Sequence, residues 1–391
     1  MRSLCTDVCY DSLIKKNEEL CGDRVQIVRG EKSTLLVLAD GLGSGVKANI
    51  LATLTSKIIS TMIGEGASVE DTVDTIAHTL PVDKERDIAY STFMILRIGS
   101  DGSAYLVEYD NPPCICIRNG EPLQITYSEK NIAGKPVRES RFQALPGDYF
   151  MLVSDGVTQA GMGETLSFGW GWENVVNFAG DCCRSGVSAP RLIRKILSVG
   201  SDLYEGNPGD DTTVSAIHVL PKQCVAFLSG PPKNAADDKR VVSEYMSQKG
   251  LHIVSGGTSA EIVARELGKK LEVNMDDGDE NIPPTGKIEG VDLVTEGVLT
   301  LKVVLELFDE YIRRPAAQST IDALDRNNGA SMLARILIER CTDLYLFIGR
   351  TVNAAHQNSD FPAELRLKFR LLDDIAARMT SLGRNVIKQY Y

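Results

Sequence analysis

Asp40-Gly41-Leu42-Gly43-Ser44-Gly45 closes the apolar run Leu35-Leu36-Val37-Leu38-Ala39 and opens a long helical pattern. A carboxylate at a strand end beside a glycine turn suits a hard cation. Two more acidic turns hold comparable places. Ser154-Asp155-Gly156 follows Phe150-Met151-Leu152-Val153, and Gly209-Asp210-Asp211-Thr212-Thr213 precedes Val214-Ser215-Ala216-Ile217. Asp-Gly is also a common turn dipeptide, so no single one of these turns identifies a metal site. Together they suggest one centre assembled from distant segments. The glycines do not make a dinucleotide fingerprint, because Gly45 comes too early for GxGxxG. They let the chain turn tightly into the helix and expose the Gly41 carbonyl.

The donor types narrow the metal. Isolated aspartates without His or Cys fit Mg²⁺ or Mn²⁺, which keep several waters. A zinc hydrolase would normally need His, and the four present (His78, His218, His252 and His356) do not cluster at the acidic turns. Nine cysteines form no CxxC pair and read as reduced structural thiols, with Cys5, Cys9 and Cys21 as a small redox or metal cluster the lesser reading.

Outward from these turns, the first part of the chain reads as short strands in meander spacing. They are Arg24–Arg29, Ser33–Ala39, Thr92–Ile98, Ala104–Tyr109, Cys114–Arg118, Pro122–Thr126, Tyr149–Val153 and Thr213–Val219. Short polar turns between several of them predict mainly antiparallel sheets. Val46, Ile50, Leu54, Ile58 and Met62 recur every four residues, with Leu51 and Ile59 beside them, and Gly64 and Gly66 end that helix. Ser68 and Asp71 are placed as a capping-box-like start to a second helix. A later helix pair covers 172–184 and 190–203. Such stripes fit packed sheets with helices outside. Trp170 and Trp172 read as core residues.

Near residues 219–224 the pattern changes to alternating strand and helix, which predicts a smaller doubly wound α/β domain over 224–391. Its strands are expected at 224–228, 251–254, 271–273, 344–348 and 385–389. Its helices are expected at 260–267, 299–313, 329–340 and 363–382, with an exposed acidic loop at 276–286. Ser255-Gly256-Gly257-Thr258-Ser259 joins a strand to a helix. It is read equally as an anion site formed by backbone N–H groups and as a plain βα turn with Thr258 or Ser259 as N-cap. Gly230-Pro231-Pro232 and Thr295-Glu296-Gly297 are expected to border the same crevice. The basic amphipathic segment 365–382 reads as a solvated helix face, with partner binding the lesser alternative.

The chain has 391 residues and a formal net charge of −11, which argues against general nucleic-acid binding and against an anionic membrane surface. It has no run of about 20 apolar residues and no apolar signal core at its start, so a cytoplasmic protein is expected.

Residues 10–220 resemble the metal-dependent type 2C protein phosphatases, in the bacterial branch named for stage II sporulation protein E. The resemblance rests on Cys21-Gly22-Asp23, Ala39–Gly45, Tyr90-Ser91-Thr92-Phe93, Asn111-Pro112-Pro113, Ser154-Asp155-Gly156-Val157 and Asp210-Asp211-Thr212-Thr213. It implies an α+β fold over 1–220, an α-β-β-α sandwich. It also implies two divalent cations, Mn²⁺ or Mg²⁺. Asp40 would bridge them, the Gly41 carbonyl would bind one, and Asp155 and Asp210 the other. Asp23 would hold a metal-bound water, and Asp211 would substitute for Asp210 or join a third site. The implied reaction is hydrolysis of phosphoserine or phosphothreonine by metal-bridging hydroxide, on a phosphorylated protein such as an anti-sigma-factor antagonist. Eukaryotic members carry a histidine where Leu42 stands, so a metal-bound water would protonate the leaving group. Their phosphate-binding arginine has no clear counterpart beyond Lys15 or Lys16. The expected partners are thus a phosphoprotein and a small anion in the second domain, with a homodimer left open. The rivals are a catalytically silent module of the same fold, and an enzyme whose main chemistry lies in 224–391.

Overall fold

The computed structural model describes residues 4–79, 91–132, 134–274, 282–350 and 361–391. Tyr90, His356 and most of the expected acidic loop at 276–286 lie outside the described residues. The chain divides into two compact units, Met1–Leu220 and Pro221–Tyr391.

The first unit runs β1 (Cys5–Leu13), β2 (Asp23–Arg29), β3 (Ser33–Gly41), α1 (Gly45–Gly64), α2 (Val69–Thr79), β4 (Ser91–Gly99), β5 (Ser103–Tyr109), β6 (Ile115–Arg118), β7 (Glu121–Pro122), β8 (Ser128–Ile132), β9 (Lys135–Gln143), β10 (Tyr149–Val153), α3 (Asp155–Thr158), α4 (Trp172–Arg184), α5 (Ala189–Leu203) and β11 (Thr212–Leu220). One sheet has the order β1-β11-β10-β6-β7 and the other β2-β3-β4-β5-β9-β8. Strand pairing is antiparallel throughout both. Alternation sorts the side chains. Leu36 and Leu38 of β3, Met94 and Leu96 of β4, Phe150 and Leu152 of β10, and Ile217 and Val219 of β11 fill the layer between the sheets. Leu35, Val37 and Ala39 face the other way, onto Ile59 and Ile63 of α1 and Val69 and Val73 of α2. On the far side, α5 packs on β1 and β11, and α4 on β6.

Three local expectations change. The α1 stripe does not face the sheet: Val46, Ile50 and Leu54 are 62%, 53% and 46% exposed. The buried face is Ala48, Leu51, Ala52, Thr55, Ser56, Ile59, Ser60 and Ile63. Small residues there let the helix approach β3 closely, and a Cβ on Gly41 would lie 2.1 Å from the Ala48 carbonyl oxygen. Of the strand expected at 122–126 only Pro122 joins a ladder with β6, together with Glu121 before it, and the Leu123 N–H adds one bond to the Cys116 carbonyl at 2.7 Å. Leu123 and Ile125 pack against the inter-sheet core instead. Finally, β1, β8 and β9 were not anticipated. The Ser68 cap is present: Asp71 N–H donates to Ser68 Oγ at 3.0 Å, and that hydroxyl donates to Asp71 Oδ2 at 2.8 Å.

The second unit runs β12 (Cys224–Ser229), α6 (Asp238–Ser247), β13 (Leu251–Ser255), α7 (Gly257–Leu267), β14 (Glu272–Val273), β15 (Gly286–Lys287), β16 (Leu293–Thr295), α8 (Val298–Arg313), α9 (Gln318–Leu324), α10 (Gly329–Arg335, continued by a π turn at Ile336–Arg340), β17 (Asp343–Ile348), α11 (Phe361–Ser381) and β18 (Asn385–Tyr390). Its mixed sheet has the order β14-β15-β16-β13-β12-β17-β18. The strands from β16 to β18 are parallel, while β14 and β15 form an antiparallel edge. Val225 and Phe227 face α8, α10 and α11. Ala226 and Leu228 face α6 and α7. Helices thus cover both faces. The elements α6, β16 and α9 go beyond the sequence reading. Among the described residues, no helix is long and apolar enough to cross a membrane.

Candidate metal centre

The register of the β2–β3 pair sets Asp23 opposite Asp40. Asp40 is next to last in β3, and the Ser91 hydroxyl donates to its backbone carbonyl at 2.8 Å. The β10–β11 pair places Val153 opposite Val214, so the chain leaves β10 where it enters β11. Asp155 therefore begins α3 beside Asp210 and Asp211. Ser154 ties the two ends: its N–H donates to the Thr213 carbonyl at 3.0 Å, and its Oγ accepts the Thr213 N–H at 2.9 Å. A Cβ on Gly156 would lie 2.2 Å from the Asp211 carbonyl oxygen, so this approach requires glycine.

The charges of these aspartates act on one another. Burial raises the Asp40 pKa, and the charges of Asp23, Asp155 and Asp210 raise it further. Burial also raises Asp23. The hydroxyls of Thr213 and Ser154 oppose this, while the charges of Asp211 and Asp155 add to it. Asp155 is raised by burial and by Asp210, against the Gly156 amide, Gln159 and Lys15. Asp23 Oδ2 is buried with no partner of hydrogen-bonding geometry among the described residues. A cluster of acceptors that disfavours its own ionisation, with one oxygen orphaned, fits a cation-binding donor set. Among the described residues, however, no three His, Cys, Asp or Glu side chains form a ready-made cage. Water-rich octahedral ions do not require one.

The two adjacent aspartates differ. Asp211 is buried, and its carboxylate accepts the Lys15 N–H at 3.0 Å and the Gly22 N–H at 2.8 Å. Asp210 is more open, with Lys15 Nζ 3.4 Å from Oδ1. Lys15 thus reaches the cluster; Lys16 is instead held by its N–H to the Pro208 carbonyl at 2.8 Å. Two participants escaped the sequence reading. Gln159 Nε2 donates to Asp155 Oδ2 at 2.9 Å, one turn along the chain, where i,i+4 spacing was the signal. Glu18 accepts the Ser44 hydroxyl at 2.8 Å at the start of α1, and nothing in its spacing marked it. Leu42 is half-buried. Trp170 packs in the core against Phe178, and Trp172 Nε1 donates to the Pro113 carbonyl at 2.9 Å.

In the second unit, Gly256 is the N-cap of α7 and makes no side-chain cap. This corrects the expected Thr258 or Ser259 cap. Ser259 Oγ instead accepts the Gly230 N–H at 2.9 Å, which joins two of the expected crevice loops.

Residues 30–220 match the family profile described as stage II sporulation protein E. No curated protein matches the chain. Several solved structures are similar. One is the phosphatase domain with a fragment of the regulatory domain of SpoIIE from Bacillus subtilis: 18% identity, 56% of this chain, 64% of that one, TM-score 0.47. This chain therefore spans less than two thirds of that structure. RsbX in complex with magnesium has 17% identity, covers 55% of this chain and 95% of that one, and has a TM-score of 0.40. The catalytic domain of the serine threonine protein phosphatase PstP, with two manganese ions, has 17% identity, 56% and 100% coverage, and a TM-score of 0.38. All three fall below 25% identity and a TM-score of 0.5, so assignment rests on the sequence match. Residues 30–220 belong to a type 2C phosphatase-like domain of the stage II sporulation protein E family.

Proposed function

We propose that the first unit is a Mn²⁺- or Mg²⁺-dependent serine/threonine protein phosphatase that hydrolyses phosphoserine or phosphothreonine on a regulatory protein. The observation that carries this reading is the convergence of Asp23, Asp40, Asp155 and Asp210 from four separate segments: the β2–β3 register sets Asp23 opposite Asp40, Ser154 ties the start of α3 to the entry of β11, and the charges of Asp23, Asp155 and Asp210 all act on Asp40. Asp40, the Gly41 carbonyl, Asp155 and Asp210 would hold the ions, with Asp23 beside them. Bound divalent cations would neutralise phosphoryl oxygens and supply an acidified water. Asp211 orients the site by fixing the backbone at Lys15 and Gly22. Gln159 fixes the Asp155 carboxylate. Lys15 brings a cation to the Asp210 side, where it could meet a phosphate oxygen.

The phosphoprotein would be a regulator of the anti-sigma-factor-antagonist kind, in the cytoplasm. The doubly wound second unit would regulate the first, and a homodimer is compatible with this role. Mn²⁺-dependent hydrolysis of an aryl phosphate, lost in chelator and in Asp40→Ala, tests the reading. The second reading is a silent binding module of the same fold. Metal binding without turnover on any phosphoprotein would support it.

A further inference from the structure

The parallel strands β16, β13, β12, β17 and β18 reverse direction of winding between β12 and β17. In such sheets the crevice beyond the strand C-termini at this reversal receives ligands. Here it is backed by two glycines. The Gly349 N–H donates to the Ser229 carbonyl at 3.0 Å. A Cβ on Gly349 would lie 2.2 Å from the Gly230 carbonyl oxygen.

Lys368, near the start of α11, reaches this point. A Cβ on Gly230 would lie 2.3 Å from Lys368 Nζ. No described carboxylate pairs with that ammonium, and burial alone lowers its pKa to about 8. Its neighbours on α11, Arg370 and Arg378, instead pair with Asp374 and Asp309 at the surface. A half-buried lysine with no counter-ion among the described residues is costly unless an anion completes it.

Three hydroxyls at the same end of the sheet point to the same need. Ser229 Oγ, Thr295 Oγ1 and Thr300 Oγ1 are buried without a hydrogen-bond partner among the described residues. Ser229 and Thr300 are 0% exposed and Thr295 is 4% exposed. Ser229 closes β12 on the side of Val225 and Phe227, which faces α8 and α11. Thr300 lies in the first turn of α8. The helices α7 and α8 begin at Gly256 and Gly297 with no side-chain cap. These two starts touch, since a Cβ on Gly297 would lie 3.8 Å from Gly256 Cα. The Gly230–Ser259 hydrogen bond links Gly230 to the first turn of α7. The ammonium, the hydroxyls and two helix N-termini therefore follow one edge.

We propose that this crevice binds a small phosphate-bearing ligand, with Lys368 as its counter-ion and Ser229, Thr300 and the N–H groups at the starts of α7 and α8 as donors. The phosphate chemistry is shared by a nucleotide and by free phosphate or pyrophosphate, and the site stands apart from the reading of the aspartate cluster.

Calorimetric titration of the full chain in chelator, with inorganic phosphate, pyrophosphate and ADP as separate probes, tests it. At least one probe should bind one-to-one, and the tightest identifies the source. Lys368→Met should weaken it about tenfold or more. Thr300→Val, uncharged and isosteric, keeps the test open if Lys368→Met does not fold, and should weaken binding about threefold or more. No binding of any probe at millimolar concentration, or unchanged affinity in the folded variants, would overturn the proposal.

Discussion

The Asp211 carboxylate accepts the Gly22 backbone N–H at 2.8 Å, joining the entry to β11 with the entry to β2 on the opposite sheet. Its other oxygen takes the Lys15 N–H. Asp211→Ala would orphan two backbone donors, and we expect a stability loss of about 2–4 kcal/mol. Asp210→Ala, at a more exposed carboxylate, should cost less than about 1 kcal/mol while removing activity. Urea unfolding of both variants in chelator checks the contrast; equal losses would contradict it.

Glycine at Gly41 is a packing requirement as well as a donor position. Gly41→Ala places a Cβ 2.1 Å from the Ala48 carbonyl oxygen, so α1 must shift on β3. The expected cost is about 1–3 kcal/mol, and occasionally more. Gly43 has open space but a φ of +102°, so Gly43→Ala tests strain alone. A denaturation midpoint for Gly41→Ala equal to that of the parent chain would count against this packing.

The aspartate cluster repels itself without cations. Without cations, folding makes Asp40 either keep an unfavourable charge or take up a proton, and Asp40→Asn removes that cost, so in chelator at neutral pH the variant should melt at a higher temperature than the parent chain. Adding Mn²⁺ should raise the melting temperature of the parent and leave that of the variant nearly fixed. Equal Mn²⁺ shifts in both would show that the ion binds elsewhere.

Lys368 makes a pH prediction. Its folded pKa of about 8 lies below the ordinary 10.5. Below pH 8 both folded and unfolded chains carry the charge, and the folded chain bears its burial. Between those values the unfolded chain binds a proton that the folded chain has released, so this lysine makes stability rise with pH. The difference in unfolding free energy between Lys368→Met and the parent should shrink across that window. A constant difference would place the ammonium in water.

Much of the first unit was legible because its strands alternate, its helices are periodic and Ser68 caps α2. β3 and β10 emerge from continuous apolar runs that end in acidic turns, and β11 follows one. By contrast, β1 was invisible: Val8 and Cys9 sit between Asp7 and Asp11, and its pairing comes wholly from β11. The edge strand β8 and its neighbour β9 are rich in charge, as the exposed rims of sheets often are. The α1 periodicity identified a helix but not its buried face, because close approach selected Ala48, Ala52, Thr55 and Ser56 over the longer side chains. At the site, strand-end aspartates were readable one by one. The difference between Asp210 and Asp211 was not, since it depends on backbone donors 189 and 196 residues away. Lys368 looked like part of a solvated basic helix, and only the tertiary fold brings it over Gly230.

The central claim concerns Asp40. The most direct measurement is hydrolysis of an aryl phosphate by the full chain with Mn²⁺, compared with Asp40→Ala at matched folding by circular dichroism. The account predicts turnover that depends on Mn²⁺ and falls to the no-enzyme background in the variant. Equal turnover in the folded variant, or turnover that persists in chelator, would contradict it.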